Sequence, residues 1–171
     1  MKDIKNGKAI VPGSFDPITN GHIDIVKRAA QMYDKVYLAV MINSEKKYMF
    51  SMEERKAIAE AAISDIEGVE VITSEGYLWK LCRELDVCAI IKGVRNERDR
   101  EYELKMAEYN SEKNPAAETI LLETDPTLAN ISSTVVREKI YRSEDISGYI
   151  PPAALCKVKT ILAEKNNKGQ F

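Results

Sequence analysis

Five short apolar runs recur along the chain, each followed by a stretch with helical spacing. This alternation constrains the fold more than any other feature. The runs are "KAIV", "KVYLAVMI", "VEVIT", "VCAII" and "ETILLE". Short, continuous and rich in β-branched residues, they predict buried strands. Between them, "GHIDIVKRAAQMY" places Ile23, Val26 and Ala30 at helical spacing, and "SMEERKAIAEAAI" opens with Ser51 and Glu54 in a capping-box pattern. "YLWKLCREL" predicts a helix with Tyr77, Leu81 and Leu85 on one face, and a charged amphipathic helix runs from about Arg98 to Asn110. "SSTVVREKIY" predicts a helix capped by Ser132 or Ser133. "PPAALCKVKTILAE", residues 151–164, predicts one that begins with proline, followed by a frayed tail.

Strands that alternate with helices imply the α/β class, here a Rossmann-like open five-stranded parallel sheet with helices on both faces. At 171 residues the chain is expected to form a single domain. Sheets of this kind bind ligands beyond the C-terminal ends of their strands, where strand order reverses. Residues just after strands are therefore the informative ones.

Composition narrows the function classes. A formal net charge of -2 gives no global argument for nucleic-acid binding. No apolar run approaches the roughly 18 residues of a spanning helix, so no membrane role is expected, and "MKDIKNGKAIV" lacks a secretory h-region. Cys82, Cys88 and Cys156 are scattered and form no C-x-x-C pair, which speaks against a zinc site or a disulfide framework. A reducing, cytoplasmic setting fits, with Cys82 and Cys88 packed as small hydrophobes. The one histidine, His22, cannot build a multi-histidine metal site.

After the first strand comes "PGSFDPITNGH". Gly13 is expected to let the backbone pass close to a ligand, and Gly21 to do the same at the helix start. A helix N-terminus there suits phosphate. "GSFDPITNGH" resembles the T/H-x-G-H signature of the nucleotidyltransferase superfamily, with Thr19, Gly21 and His22 in the motif and Asp16 and Pro17 before it. "NSEKKYMFSMEER" resembles the matching loop of the phosphopantetheine adenylyltransferase family, in which a lysine at the position of Lys46 contacts the reacting phosphates. "KGVRNERDREYELKMAEYN" resembles that family's R-G-x-R and the helix after it, with Lys92 in place of the usual arginine. Lysine is a point charge where arginine is a planar fork, so bidentate pairing with phosphate is lost at this position. "ISSTVVRE" resembles the family's serine-rich segment at a helix N-terminus, where hydroxyls and N–H groups suit triphosphate oxygens.

The resemblance runs in consistent order from about Ala9 to Pro151. It implies transfer of the adenylyl group of ATP to 4'-phosphopantetheine, giving 3'-dephospho-CoA and pyrophosphate, the penultimate step of coenzyme A synthesis. The acceptor phosphate is already ionised at neutral pH, so no general base is needed, only positioning and charge stabilisation. The implied catalytic residues are His22, donating a hydrogen bond to the α-phosphate, with imidazolium one form open to it, and Lys46. Ser14, Phe15, His22, Gly93, Val94, Arg95, Glu103, Leu128, Ala129, Asn130, Ile131, Ser132, Ser133 and Thr134 would line the ATP side. Ser14, Lys46, Leu78 and Lys92 would meet phosphopantetheine, with Tyr77 and Trp79 packing nearby in the core or an interface.

Mg2+ is implied with ATP. No protein ligand for it is legible; Asp16 is the nearest candidate, and a turn role suits that residue as well. A homohexamer and feedback inhibition by coenzyme A are implied by resemblance alone. The rival expectations are a nicotinate or nicotinamide mononucleotide adenylyltransferase, a cytidylyltransferase for a polyol phosphate, and a nucleotide-binding module without catalysis. Thr19 at the motif's first position and "EYELKMAEYN" argue against the first two. His22, Lys46 and Arg95 together argue against the third.

Overall fold

The computed structural model describes residues 5–170. The expectation of no secretory leader falls partly on residues 1–4, and the end of the frayed tail on Phe171, both outside the described residues. The strands are β1 (Lys5–Gly13), β2 (Tyr33–Met41), β3 (Val69–Ser74), β4 (Ala89–Val94) and β5 (Glu118–Glu123). The helices are α1 (Asn20–Met32), α2 (Met52–Ala62), α3 (Leu78–Glu84), α4 (Glu97–Lys113), α5 (Ser133–Tyr141) and α6 (Pro152–Asn167), with a short 3-10 turn over Pro126–Leu128.

All strand pairs are parallel and the order is β3-β2-β1-β4-β5. The chain steps outward from β1 to β3, then returns to place β4 on the other side of β1. The reversal therefore lies between β1 and β4, where Ala9 stands opposite Ala89 and Ile10 opposite Ile90.

The central runs, in β1, β2 and β4, are largely apolar because both faces are covered. Ala9, Val11, Leu38, Val40, Ala89 and Ile91 point into one core with Val26, Ile58, Val136 and Val158 from α1, α2, α5 and α6. Ile10, Ala39 and Ile90 point the opposite way, onto Cys82, Val87 and Leu81 around α3. Period-two alternation thus divides residues of one run between two cores.

Several boundaries differ from expectation. The β2 strand reaches back to Tyr33, directly after α1. The Tyr77 side chain is not on a buried face: it sits at the N-cap of α3, 66% exposed, and Cys82 takes the inward position. In the fourth run Cys88 is exposed and its Sγ donates to the Lys8 carbonyl, so this cysteine does not pack as a hydrophobe. The α6 helix runs past residue 164 to Asn167, because Lys165 is held by the Met49 carbonyl at 3.0 Å and by Glu54 at 2.9 Å. The predicted capping box at α2 is present: Glu54 N–H donates to Ser51 Oγ, and Ser51 N–H to Glu54 Oε2. Among the described residues no helix is long and apolar enough to cross a membrane.

Leu38 is fully buried on a central strand. Leu38→Ala is expected to lower unfolding free energy by about 2–5 kcal/mol. At the 41%-exposed Ile42, truncation to alanine should cost about 0.5 kcal/mol or less. Urea titration of both variants checks the contrast.

Candidate active site

The chain leaves β1 through a loop that Asp16 fastens. Asp16 is only 2% exposed, and its two carboxylate oxygens accept hydrogen bonds from the Met49 and Phe50 N–H groups, both at 2.9 Å. A buried carboxylate is tolerable only when its lone pairs are met. Meeting them here joins the loop after β1 to the loop after β2, which carries Lys46. Arg137 of α5 donates to the Asp16 carbonyl at 2.8 Å and lies 3.8 Å from its carboxylate. Both oxygens of Asp16 are thus committed to joining these segments.

Gly13 lines the cavity and has a second task as well. A Cβ there would stand 2.9 Å from the Phe15 ring, so glycine makes room for Phe15 rather than for a ligand alone. Phe15 itself sits in the left-handed region at φ 48°. Its ring meets the His22 ring edge-on, with centroids 5.1 Å apart, and limits how far the imidazole can swing.

His22 lies in the first turn of α1. The Thr19 backbone N–H donates to its Nδ1 at 3.0 Å. An Nδ1 that accepts leaves the proton of the neutral ring on Nε2, and protonating Nδ1 would break this bond. The ring is only half-buried by exposure, but its open edge faces a concave, cation-lined site. Burial first, then the charges of Arg95, Lys92 and Lys46, push its pKa from 6.5 down to about 4. The imidazole of the ligand-free protein is therefore neutral near pH 7, not an imidazolium. With the folded value below the unfolded one, the neutral ring's stabilising contribution is complete above about 6.5 and is lost as pH falls through about 4.

The cations arrive from separate strand ends. Lys46 and Lys47 lie on the turn after β2, Lys92 at the end of β4, and Arg95 just beyond it. Lys92 pairs with Glu103 at 3.2 Å and Arg95 Nε with Asp99 at 3.0 Å. Gly93 is needed for packing: a Cβ would meet Ile25 of α1 at 3.0 Å. Across the cavity, Ser132 Oγ caps α5 through Val135 N–H, and Ser133 Oγ donates to the Pro17 carbonyl at 2.8 Å.

These groups enclose a cavity of about 710 Å³. Of the residues expected at the site, Ser14, Phe15, His22, Lys46, Lys92, Gly93, Arg95, Glu103, Ile131, Ser132, Ser133 and Thr134 line it. Val94 is buried in β4, and Leu128, Ala129 and Asn130 lie outside the lining. Leu78 lies instead on a second, smaller pocket of about 80 Å³, with Ile90, Met106 and Ala107. Lys92, Tyr102 and Glu103 line both spaces and form their boundary.

Sequence reasoning missed Tyr102, Met106 and Arg137. Arg137 had a signal: it stands one helical turn after Ser133, on the same face. Among the described residues no three His, Cys, Asp or Glu side chains cluster to hold a metal, and the lining carboxylates Asp16, Asp99 and Glu103 are all engaged.

A cytidylyltransferase-like family profile matches residues 10–139. A phosphopantetheine adenylyltransferase of Staphylococcus carnosus (strain TM300) is 42% identical over 161 residues, covering 94% of this chain and 98% of that one. Its counterpart from Streptomyces coelicolor (strain ATCC BAA-471 / A3(2) / M145) is 41% identical over 148 residues, 86% of this chain and 92% of its own. That of Clostridium tetani (strain Massachusetts / E88) is 39% identical over 160 residues, 94% and 98% respectively. With matches of this extent, the chain belongs to the phosphopantetheine adenylyltransferase family of cytidylyltransferase-like nucleotidyltransferases.

Proposed function

We propose that this enzyme transfers the adenylyl group of ATP to 4'-phosphopantetheine, releasing pyrophosphate and forming 3'-dephospho-CoA. The observation that carries the acceptor assignment is the boundary at Lys92. On one side lies a large polar cavity; on the other, a small pocket lined by Leu78, Ile90, Met106 and Ala107. A phosphate held at Lys92 could send an apolar-leaning arm into that pocket. A mononucleotide acceptor offers no such arm.

The acceptor phosphate is largely dianionic at neutral pH, since its second pKa is about 6. One of its oxygens attacks the α-phosphorus of ATP, the new P–O bond forms, and the bond to the β-phosphate oxygen breaks. Lys46, Lys92 and Ser14 hold the attacking phosphate in line. His22 donates its Nε2–H to a non-bridging α-phosphate oxygen, on which charge builds in the transition state. The neutral tautomer suffices, because a donor rather than a proton is required. The α5 N-terminus with Ser132, Ser133 and Thr134, together with Arg95, receives the triphosphate.

The described residues offer no dedicated ligand set for Mg2+, so an ion carried in by the nucleotide, held by phosphate oxygens and water, fits the site better than a resident one. Bound there, it would neutralise the leaving pyrophosphate. Assembly as a homohexamer, feedback inhibition by coenzyme A and a cytoplasmic location complete the proposal. Tyr102, Leu104, Met106 and Tyr109, exposed along α4, would supply apolar surface for assembly. A monomer by light scattering would remove that part.

Pyrophosphate release should occur with ATP, Mg2+ and 4'-phosphopantetheine and be absent with nicotinate mononucleotide; the reverse pattern would overturn the assignment. His22→Ala should cut kcat by about 100–1000-fold, as loss of one oxyanion donor does, with near-normal KM values. Since the chain has one histidine, its Cε1–H resonance is assignable without ambiguity. In the ligand-free protein it should keep its neutral position from about pH 8 to about pH 5.5. A midpoint near 6.5 would contradict the Thr19 lock. The acid limb of the kcat/KM profile, which reports the free enzyme and the free acceptor, should then follow the acceptor phosphate.

A further inference from the structure

The largest fully buried side chain among the described residues is a cation that the mechanism above does not use. Arg55 of α2 is 1% exposed. Its Nη1 donates to the Ser14 carbonyl at 2.7 Å and to the Met41 carbonyl at 3.0 Å. Its guanidinium lies over the Tyr48 ring, 4.0 Å from the centroid. Asp16 and Glu53 act on it electrostatically, but among the described residues no carboxylate forms an ion pair with it, and its Nε is buried without a partner. Burying an unpaired cation is costly. A core that needed only volume would be better served by an aliphatic residue.

Its three attachments share one property: each belongs to a segment that delivers a phosphate-binding group. Ser14 is itself such a residue. Met41 ends β2, where the next turn begins. Tyr48 closes that turn, its hydroxyl donating to the Asn43 carbonyl at 3.1 Å, and the same carbonyl accepts from Lys46 N–H at 3.0 Å. One planar group thus spans the gap between the Ser14 loop and the Lys46 turn. Backbone carbonyls and an aromatic face can be held together only by a multi-donor cation that also stacks, which a lysine cannot do equally.

We infer that Arg55 is a positioning residue, which fixes Ser14 and the Lys46 turn relative to one another so that both reach the same acceptor phosphate. This rests on the phosphate roles given above to Ser14 and Lys46. Arg55 does not line the cavity, so it acts through these groups and touches no substrate.

The test compares the parent with Arg55→Lys and Tyr48→Leu. The second removes the stacking ring, and because the Tyr48 hydroxyl closes the turn and Tyr48 lines the cavity, it is read against Tyr48→Phe, which loses the hydroxyl alone and should fall well short of both effects. Two quantities are read on each: kcat/KM for phosphopantetheine at saturating ATP, and the rate of tryptic cleavage after Lys46 and Lys47, followed by mass spectrometry. Both variants should lose about 10–100-fold in kcat/KM, the usual consequence of a displacement near 1 Å. Both should be cleaved at that turn at least several times faster. Thermal melts show whether each variant is folded; should Arg55→Lys not fold, Tyr48→Leu decides. A parental cleavage rate or a parental kcat/KM in a folded variant overturns the inference. An inactive parent would sink the acceptor assignment instead, and protection of the Lys46 turn in the same samples would still decide the anchoring.

Discussion

A single buried carboxylate holds the active site together. Asp16 leaves β1 with both oxygens committed to Met49 and Phe50 N–H groups, and its carbonyl receives Arg137. Three chain segments that are far apart in sequence, the loop after β1, the loop after β2 and the first turns of α5, are thereby tied at one residue. The need to satisfy a charge in the core, several kcal/mol if left unmet, is what makes this junction rigid. His22, Lys46 and Ser133 take their places relative to it, and α6 adds a brace from outside through Lys165 on the Met49 carbonyl.

The electrostatics follow from that geometry. Bringing Lys46, Lys92 and Arg95 to one concave surface creates a field that attracts phosphate, and the same field discourages a further positive charge on His22. The Thr19 N–H settles the matter by occupying Nδ1. The cations Lys92 and Arg95 are themselves held in pairs with Glu103 and Asp99. They wait in fixed places and need not be ordered when an anion arrives, which is the preorganisation that phosphoryl-type chemistry depends on.

Much of the fold was legible because its causes are local. Apolar runs mark buried strands, and Ser51 with Glu54 marks a helix start whatever surrounds them. The residues after strands were legible as site candidates because a parallel sheet directs ligands there. What local pattern missed had non-local causes. Gly13 lines the cavity, but that it also makes room for a ring two residues on was not visible in the pattern. Tyr77 matched a helical stripe, yet the helix began one residue later and left it in solvent. For Arg55, nothing nearby in sequence suggests burial.

The sequence alone determined the α/β alternation, the motif around His22 and the set of cations available for phosphate, since each depends on residue type and short spacing. Only the tertiary structure decided the protonation state of His22, the tie that Asp16 makes between two loops, and the pocket that continues beyond Lys92. Those depend on burial and on contacts between residues dozens of positions apart. Hydrogen-bond partners and desolvation are properties of a place in the folded molecule, and no residue carries them in its name.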